Sequence, residues 1–505
     1  MRTDNSIKNV KASLISQIVN IITKFIGRMI FVAVLSSEYL GINGLFTNIL
    51  TLLSLADMGI DNALTYSMYK PLAEKNEKKL KELTNFYRKI YSSIATLILI
   101  VGLFLIPFLP YLIKDMPDIS NINLIYILYL INTVISYLCI YKTSVITADQ
   151  KGYIVTIYTQ IFNIISTIAT SIVLIITKQF IIYLIVQIMI SVFSNIYMSK
   201  KAEKLYPCIK NVKEYEITSS EKKEIRSKTY ALLFHKIGGV IVCGTDNIII
   251  SMLVGLKDVG IYSNYVMVTN AITTITSQAT ASITASVGNL NVDNNKDHIY
   301  EVFKKVNFIN SWLATFCTVC LYILFNDFIK IWLGKNYIFE SIVVMIIALK
   351  FYIEANRKSI MTFRNAMGIF EPDKWKSIIE AILNLVISII LGIKYGIMGI
   401  LLGTIISMLI ASVFVEVHVL YKYGFKKRAK EFYINYIKNL LLMIIVLFVT
   451  YQVNQIVIFN GIVSFVIKMI ITAILSNIII ILFTFKTKEF KFCYALFKEK
   501  IKIKH

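Results

Sequence analysis

The 505-residue sequence lacks the motifs of a soluble catalyst. It has no phosphate-cradling glycine loop ending in Lys-Ser or Lys-Thr, no Gly-x-Ser-x-Gly elbow and no His-Glu-x-x-His pair. Its four histidines, His235, His298, His418 and His505, are scattered, which leaves metal catalysis without a ligand set. Cysteine is scarce as well. Of six, Cys139, Cys243, Cys317 and Cys320 fall in or beside apolar stretches, so a disulfide framework is not expected. "CTVC" at 317–320 has redox spacing but no neighbouring His or charged activator, and reads as packing. Acidic charge is short too: 30 Asp and Glu against 53 Lys and Arg give a formal net charge of +23. A nucleic-acid partner is not implied, because the basic residues form no compact domain and sit in short segments between apolar runs.

What the sequence has in excess is apolar surface. Hydrophobic residues make up 56% of the chain, charged residues 16%, and the mean hydropathy is +0.68, far beyond what one soluble core needs. The expected class is an all-α polytopic membrane protein. No small-residue cleavage site follows the first apolar run, which is therefore expected to be a retained span. Fourteen spans are predicted, at 12–35, 41–68, 88–113, 121–141, 152–176, 180–199, 230–254, 259–288, 306–326, 338–360, 375–393, 396–420, 437–456 and 461–485. An even number puts both termini on one side, and most Lys and Arg lie in the connections of that side, which marks it as cytoplasmic. The opposite connections are short, the longest being roughly 326–336. Function must then reside within the bundle or on its cytoplasmic face.

The longest cytoplasmic connection follows the sixth span and divides the chain. The expected organisation is an N-lobe at 1–199, a linker at 200–229, a C-lobe at 230–422, an appended helix pair at 423–485 and a basic cytoplasmic tail at 486–505. The two six-helix lobes echo each other: "YLGINGLFTNIL" at 39–50 and "DVGIYSNYVMVT" at 258–269 both place Gly-Ile at the start of a lobe's second helix. "IMGILLGTII" at 397–406 repeats the device, and Gly suits a tight turn with close helix approach. The segments 70–89 and 490–505 mix aromatic and aliphatic residues with Lys and Glu, which fits helices on the membrane surface or simply solvated ones.

Charges inside the spans are the chemical signal, since each costs about 2.5 kcal/mol or more at a helix centre. Lys24 and Arg28 share one face of the first helix, and Asp57 and Asp61 share one face of the second. Two roles are open to the aspartates: pairing with the cations, or coupling to a proton or sodium gradient. In the other half, "FHKIGGVIVCGTDNIII" at 234–250 carries His235, Lys236, Asp246 and Asn247. "LKFYIEANRKSIMTFRNA" adds Lys350, Glu354 and Arg357 at i, i+4 and i+7, with Arg364 near the exit. A wet vestibule between the lobes, lined by Lys24, Arg28, Lys236, Lys350 and Arg357, would relieve the desolvation cost and attract an anion. An Arg fork suits phosphate oxygens. Asn43, Asn48, Tyr262, Asn264 and Tyr265 are candidate contacts to sugar hydroxyls, and Asp246 and Glu354 join the candidates for ion coupling or charge pairing.

"YLGINGLFTNILTLLSLADMGIDNALTYSMYKPLAEKN" at 39–76, "FHKIGGVIVCGTDNIIIS" at 234–251, "GIYSNY" at 260–265 and "ASVGNL" at 285–290 resemble a known family. It is the polysaccharide-transporter branch of the multidrug/oligosaccharidyl-lipid/polysaccharide exporter superfamily, the flippases for capsule and O-antigen repeat units. The resemblance runs from the first span through the twelfth. It implies two pseudo-twofold related lobes in a bacterial cytoplasmic membrane and no enzymatic activity. The cargo it implies is an oligosaccharide on undecaprenyl pyrophosphate, moved from inner to outer leaflet by alternating access. It implies no cofactor beyond an ion gradient or the membrane potential. Its implied partners are membrane lipids, a polysaccharide polymerase and glycosyltransferases, with no nucleic acid. Lipid II flippases of the superfamily use two extra C-terminal helices as a groove for the lipid tail, a role open to spans thirteen and fourteen. A multidrug organic-cation antiporter is the rival within the superfamily, disfavoured by a positive cavity. A membrane polymerase or ligase is the rival outside it, and such enzymes usually present a large outward loop that this sequence lacks.

Overall fold

A computed structural model of the chain describes residues 2–54, 60–114, 116–212, 215–219, 222, 244–292, 296–369, 371–373, 375–459 and 461–502. Side chains are described for these residues outside 2–4, 6–7, 60–64, 278–292, 373 and 496–502. The described residues form helices and turns and no strand. They divide into two compact units, Met1–Gly260 and Ile261–His505.

The first unit holds α1 (Arg2–Val34), α2 (Ser37–Leu53), α3 (Ile60–Ala73), α4 (Glu77–Leu105), α5 (Ile122–Leu138), α6 (Ile140–Ala148), α7 (Gly152–Thr177), α8 (Phe180–Leu205) and α9 at 244–253. Helix α4 starts where it does because the Asn76 side chain accepts from the backbone N–H of Lys79 at 3.0 Å, with Glu77 in its first turn. Helix α1 packs along α7, α7 on α8, α4 on α5, and α5 on α8. The opposite face of α7 leaves Ile157, Ile161, Ile165, Ile168, Ile172 and Ile176 exposed at helical spacing. A branched aliphatic stripe of that length has no stable place in water, so it is a lipid-facing surface.

The second unit begins within α10 (Leu256–Val292) and continues through α11 (Lys296–Leu333), α12 (Ser341–Ala366) and α13 (Lys376–Ser407). Next comes α14 (Phe414–Val419), flanked by the π-helical turns Met408–Val413 and Leu420–Phe425, then α15 (Lys430–Asn454), α16 (Gly461–Thr484) and α17 (Lys488–Lys502). Helix α13 is a hairpin: Gly396 has φ 60° and ψ −138°, which reverses the chain. Past that turn, Asn384 Nδ2 donates to Thr404 Oγ1 at 2.9 Å and Ser388 Oγ donates to the Ile400 carbonyl at 3.0 Å, so the arms run antiparallel.

Eight described helices are long and apolar enough to cross a membrane, or nine when the bent pair α5 and α6 counts as one span. The chain is a multi-pass membrane protein. Three other described helices escape this measure for physical reasons. Ser37–Leu53 has only 17 residues, Leu256–Val292 is interrupted by Ser, Thr and Asn, and Ser341–Ala366 carries five charges.

The Gly-Ile repeats mark close backbone approach. A Cβ at Gly41 would stand 2.0 Å from the Leu256 carbonyl oxygen, and one at Gly260 would stand 2.2 Å from that of Ser37. The two glycines let α2 and the first turn of α10 touch backbone to backbone, and Gly399 plays the same part inside α13, where a Cβ would lie 2.0 Å from the Leu391 carbonyl oxygen. Helices α15 and α16 pack on α11. Lys468 Nζ lies 2.7 Å from Asp327 Oδ2, and Trp312 Nε1 donates to Asn477 Oδ1 at 2.8 Å. We expect Gly41→Ala to destabilise the full-length protein by about 1–3 kcal/mol through overpacking. Thermal unfolding in detergent measures it, and an unchanged midpoint contradicts the backbone contact.

Candidate functional site

In the first unit, α1 presents Lys24 and Arg28 one turn apart. Lys24 is exposed, and Arg28 is half-buried beside an aromatic wall built by four helices. In that wall Phe31 meets Phe180 and Tyr183 edge-on at centroid distances of 5.6 and 5.7 Å, and Tyr39 meets Phe180 at 5.2 Å. The Arg28 guanidinium lies in the field of the Tyr129 and Tyr183 hydroxyls. Tyr129 donates to Asn43 Oδ1 at 2.9 Å, and the Tyr183 hydroxyl is hydrogen-bonded to Thr170. Arg28 and Asn43, both expected at a ligand site, thus belong to one group on α1, α2, α5 and α8. Such a group has the chemistry to hold an anion: a planar cation with phenol and amide dipoles around it.

Tyr129 and Tyr183 were not singled out by the sequence, where they are two among 30 tyrosines. Their signal was a hydroxyl within a strongly apolar helix, mid-helix for Tyr129 and in the first turn for Tyr183. Asn48 is half-buried farther along α2, and Asp246 is buried on α9. Asp57, His235 and Lys236 lie outside the described residues, as does the side chain of Asp61.

In the second unit α12 carries the charges. Lys350 Nζ donates to the Tyr262 hydroxyl at 3.3 Å and stands 6.0 Å from its ring centroid. Two turns on, Lys358 Nζ donates to the Thr273 carbonyl at 3.2 Å, Thr276 Oγ1 at 3.0 Å and Ser277 Oγ at 2.9 Å. These contacts advance together along both helices, so α10 and α12 run parallel, with long lysine side chains bridging their seam. Glu354 sits half-buried between the two lysines. Lys358 escaped the sequence reading because the charges were placed at i, i+4 and i+7. The face that meets α10 follows i, i+4 and i+8 instead.

Arg357, the third residue of the expected row, points elsewhere. Its Nε and Nη2 donate to Glu416 Oε2 and Oε1 at 2.7 and 2.8 Å, and its Nη1 is 3.6 Å from Glu380 Oε1. Arg364 Nη1 approaches Glu416 Oε1 at 3.7 Å, and Lys376 binds the same oxygen while standing 3.8 Å from Glu380 Oε2. Glu416 is fully buried. Three cations and two carboxylates therefore tie α12, α13 and α14 together, and Arg357 is a member of that internal lattice rather than an open cavity cation. The sequence reading missed Glu416, Lys376 and Glu380 because they approach Arg357 only through the tertiary fold. Tyr262, Asn264 and Tyr265 are also buried. Tyr265 donates to Asn326 Oδ1 at 2.5 Å and accepts from the Phe339 N–H at 2.9 Å, so its hydroxyl is engaged within the core and not presented to a sugar.

The sequence profile described as polysaccharide biosynthesis protein matches residues 6–287, more than half of the chain. The chain belongs to this polysaccharide biosynthesis family. No curated protein matches it significantly. Among solved structures it is similar to the lipid II flippase MurJ in an inward closed conformation, with a TM-score of 0.66 and 18% identity, covering 94% of this chain and 98% of that one. It is similar to a multidrug resistance MATE family transporter of the MOP superfamily, inward-facing, with a TM-score of 0.64 and 12% identity over 81% of this chain and 94% of that one. An outward-facing structure described in the same terms gives a TM-score of 0.54 and 10% identity over 83% and 96%. At these identities the likeness establishes a shared transporter fold.

The Glu416 lattice makes a stability prediction for this family member. Removing the central carboxylate with Glu416→Gln leaves three neighbouring cations to Glu380, and the expected loss is about 3–5 kcal/mol in thermal unfolding. Adding Arg357→Gln to that variant is expected to cost less than the two single losses combined. Strict additivity contradicts the lattice.

Proposed function

We propose that this protein is a flippase for lipid-linked oligosaccharides. In this reading it moves an oligosaccharide repeat unit on undecaprenyl pyrophosphate from the inner to the outer leaflet by alternating access, ahead of capsule or O-antigen assembly. Family membership supports a role in polysaccharide biosynthesis, and the fold shared with the lipid II flippase MurJ supports lipid-linked cargo. The observation that carries the reading is the pair of cationic groups, Arg28 with Tyr129 and Asn43 in one unit, and Lys350 with Tyr262 followed by Lys358 in the other. A membrane-spanning helix retains such costly side chains where an anion or a partner compensates them. Arg28 offers the planar fork that a pyrophosphate oxygen pair accepts, while the lysines supply movable point charges. Asn43 and Asn48 fit contacts to the sugars.

The wider frame of the proposal is a bacterial cytoplasmic membrane protein of fourteen spans with both termini cytoplasmic, served by glycosyltransferases and serving a polymerase. Asp246 and Glu354 are its acidic candidates for coupling to a proton or sodium gradient. The multidrug reading draws on a MATE fold of nearly equal likeness. Cationic clusters repel an organic cation and favour an anionic cargo, which is why the flippase reading is preferred.

Transport of a fluorescent lipid-linked oligosaccharide in proteoliposomes tests it. Arg28→Ala and Lys350→Ala are each expected to lower the initial rate at least tenfold at equal protein level, with Arg28→Lys intermediate. Unchanged rates in both alanine variants overturn the proposed roles. Drug efflux without glycolipid movement would establish the rival.

A further inference from the structure

The second unit carries a cationic hollow that neither the charge lattice nor the α10–α12 seam uses. It has a volume of about 540 Å³ and is lined by His418, Tyr421, Lys422, Lys426, Lys427 and Arg428. Four cations fall within seven residues there, and Lys430 follows at the start of α15. Lys422, Lys426 and Arg428 are exposed, and among the described residues no carboxylate lies within ion-pair distance of them. Lys427 alone is paired, 2.7 Å from Asp297 Oδ1, and its hydrogen bond and charge hold that carboxyl below the ordinary range. The nearby Glu431 is turned away and accepts from the Tyr300 hydroxyl at 2.9 Å.

This connection is built rather than loose. Lys426 adopts a left-handed φ of 55°, and the Lys427 N–H donates to the Tyr421 carbonyl at 3.0 Å, which closes the end of the π-helical turn. Beneath it Phe425 and Tyr421 are buried, with Phe425 5.0 Å from the ring of Phe303 and 5.3 Å from that of Tyr421. The aromatic core fixes the loop, so the cations are held outward in a set arrangement. Its position is fixed as well. Lys376–Phe425 and Lys430–Asn454 are both apolar enough to cross a membrane, so residues 426–429 between them lie at the bilayer surface. Exposed Tyr423, with Lys422 5.3 Å from its ring centroid, is the kind of aromatic that sits at headgroup level.

We propose that this hollow binds the phosphate of an anionic membrane lipid drawn from the leaflet that the loop borders. Lipid phosphate is the anion present there at high local concentration, and each cation near such a surface contributes about a fivefold gain in binding. A soluble phosphate would meet the same charges without that concentration effect.

The test uses the full-length protein in nanodiscs of phosphatidylcholine with increasing phosphatidylglycerol. Bound phosphatidylglycerol is counted by native mass spectrometry. The triple variant Lys422→Gln, Lys426→Gln, Arg428→Gln is expected to need at least fivefold more phosphatidylglycerol for half-occupancy. Its thermal unfolding in pure phosphatidylcholine is expected to match the unsubstituted protein, since all three side chains are exposed. A control triple at and just before the start of α17, Lys486→Gln, Lys488→Gln, Lys491→Gln, is expected to stay within twofold. Should the loop triple fail to fold, Lys426→Gln and Arg428→Gln singly are each expected to shift half-occupancy at least twofold. Equal retention by the loop variants overturns the proposal. So does displacement of the lipid by millimolar inorganic phosphate, which would mark a site for soluble anions.

Discussion

A charged side chain in hydrocarbon must be compensated, and the ways in which this protein does so organise its interior. Each uncompensated cation at a helix centre costs about 2.5 kcal/mol or more, so the charges on α1 and α12 need partners. The structure meets that demand in two chemically different ways. Arg357, Arg364 and Lys376 are compensated by carboxylates, while the Arg28 guanidinium lies beside the Tyr129 and Tyr183 hydroxyls and Lys350 and Lys358 reach hydroxyls and a backbone carbonyl on α10, with Glu354 in the field of Lys358. A carboxylate neutralises a cation and removes it from further use. A hydroxyl or an amide solvates the cation but leaves its charge standing. Hydroxyl contacts therefore solvate a cation on a flexible stem, whereas the carboxylate lattice fixes its cations in one geometry.

This division follows the mechanics of the helices. Glu416 sits between two π-helical turns, and wide turns leave backbone groups and side-chain directions off the regular helical ladder. Fixing that irregular segment to α12 and to the start of α13 needs strong, directional contacts, and a bidentate guanidinium–carboxylate pair supplies them. The parallel seam between α10 and α12 has the opposite character. Lysines bridge it through long flexible stems to Tyr262, Thr273, Thr276 and Ser277, so the heads can move without breaking a rigid fork. One end of α12 is thus anchored through Arg357 and Arg364, and its α10-facing side stays adaptable.

Much of the architecture was legible because membrane helices advertise themselves through long apolar runs. The Gly-Ile repeats were legible for a related reason: only a residue without a side chain tolerates the Gly41–Leu256 and Gly260–Ser37 approaches. Arg28 and Asn43 stood out because polar groups are rare in such runs, and the fold places both around Tyr129. The failures share a cause too. Arg357 looked like a cavity cation since its partner, Glu416, lies 59 residues on, and local periodicity carries no information about contacts of that range. Tyr265 looked available because tyrosine is polar at one end, yet the fold turns that end onto Asn326 and Phe339. Lys358 was hidden by a one-residue difference in helical phase.

The appended hairpin shows how the same compensation rule extends the fold. Lys468 is a lone cation in α16, an otherwise apolar helix, and Asp327 in α11 is its counter-charge at 2.7 Å. Near them, Asn454 Nδ2 donates to Thr472 Oγ1 at 3.2 Å between α15 and α16, and toward the other end of the same helices Asn439 Nδ2 donates to Ser311 Oγ at 3.0 Å between α15 and α11. In lipid, apolar contact alone gives helices little reason to prefer protein over acyl chains, so polar contacts of this kind set which surface α15 and α16 adopt. A hairpin held at a few polar points keeps most of its apolar surface facing outward, as the exposed Ile444, Phe448, Ile470 and Ile474 do. The hairpin therefore adds lipid-facing area to the second unit while its inner side packs on α11 and, through Phe432, Tyr433 and Tyr436, on α12 and α14.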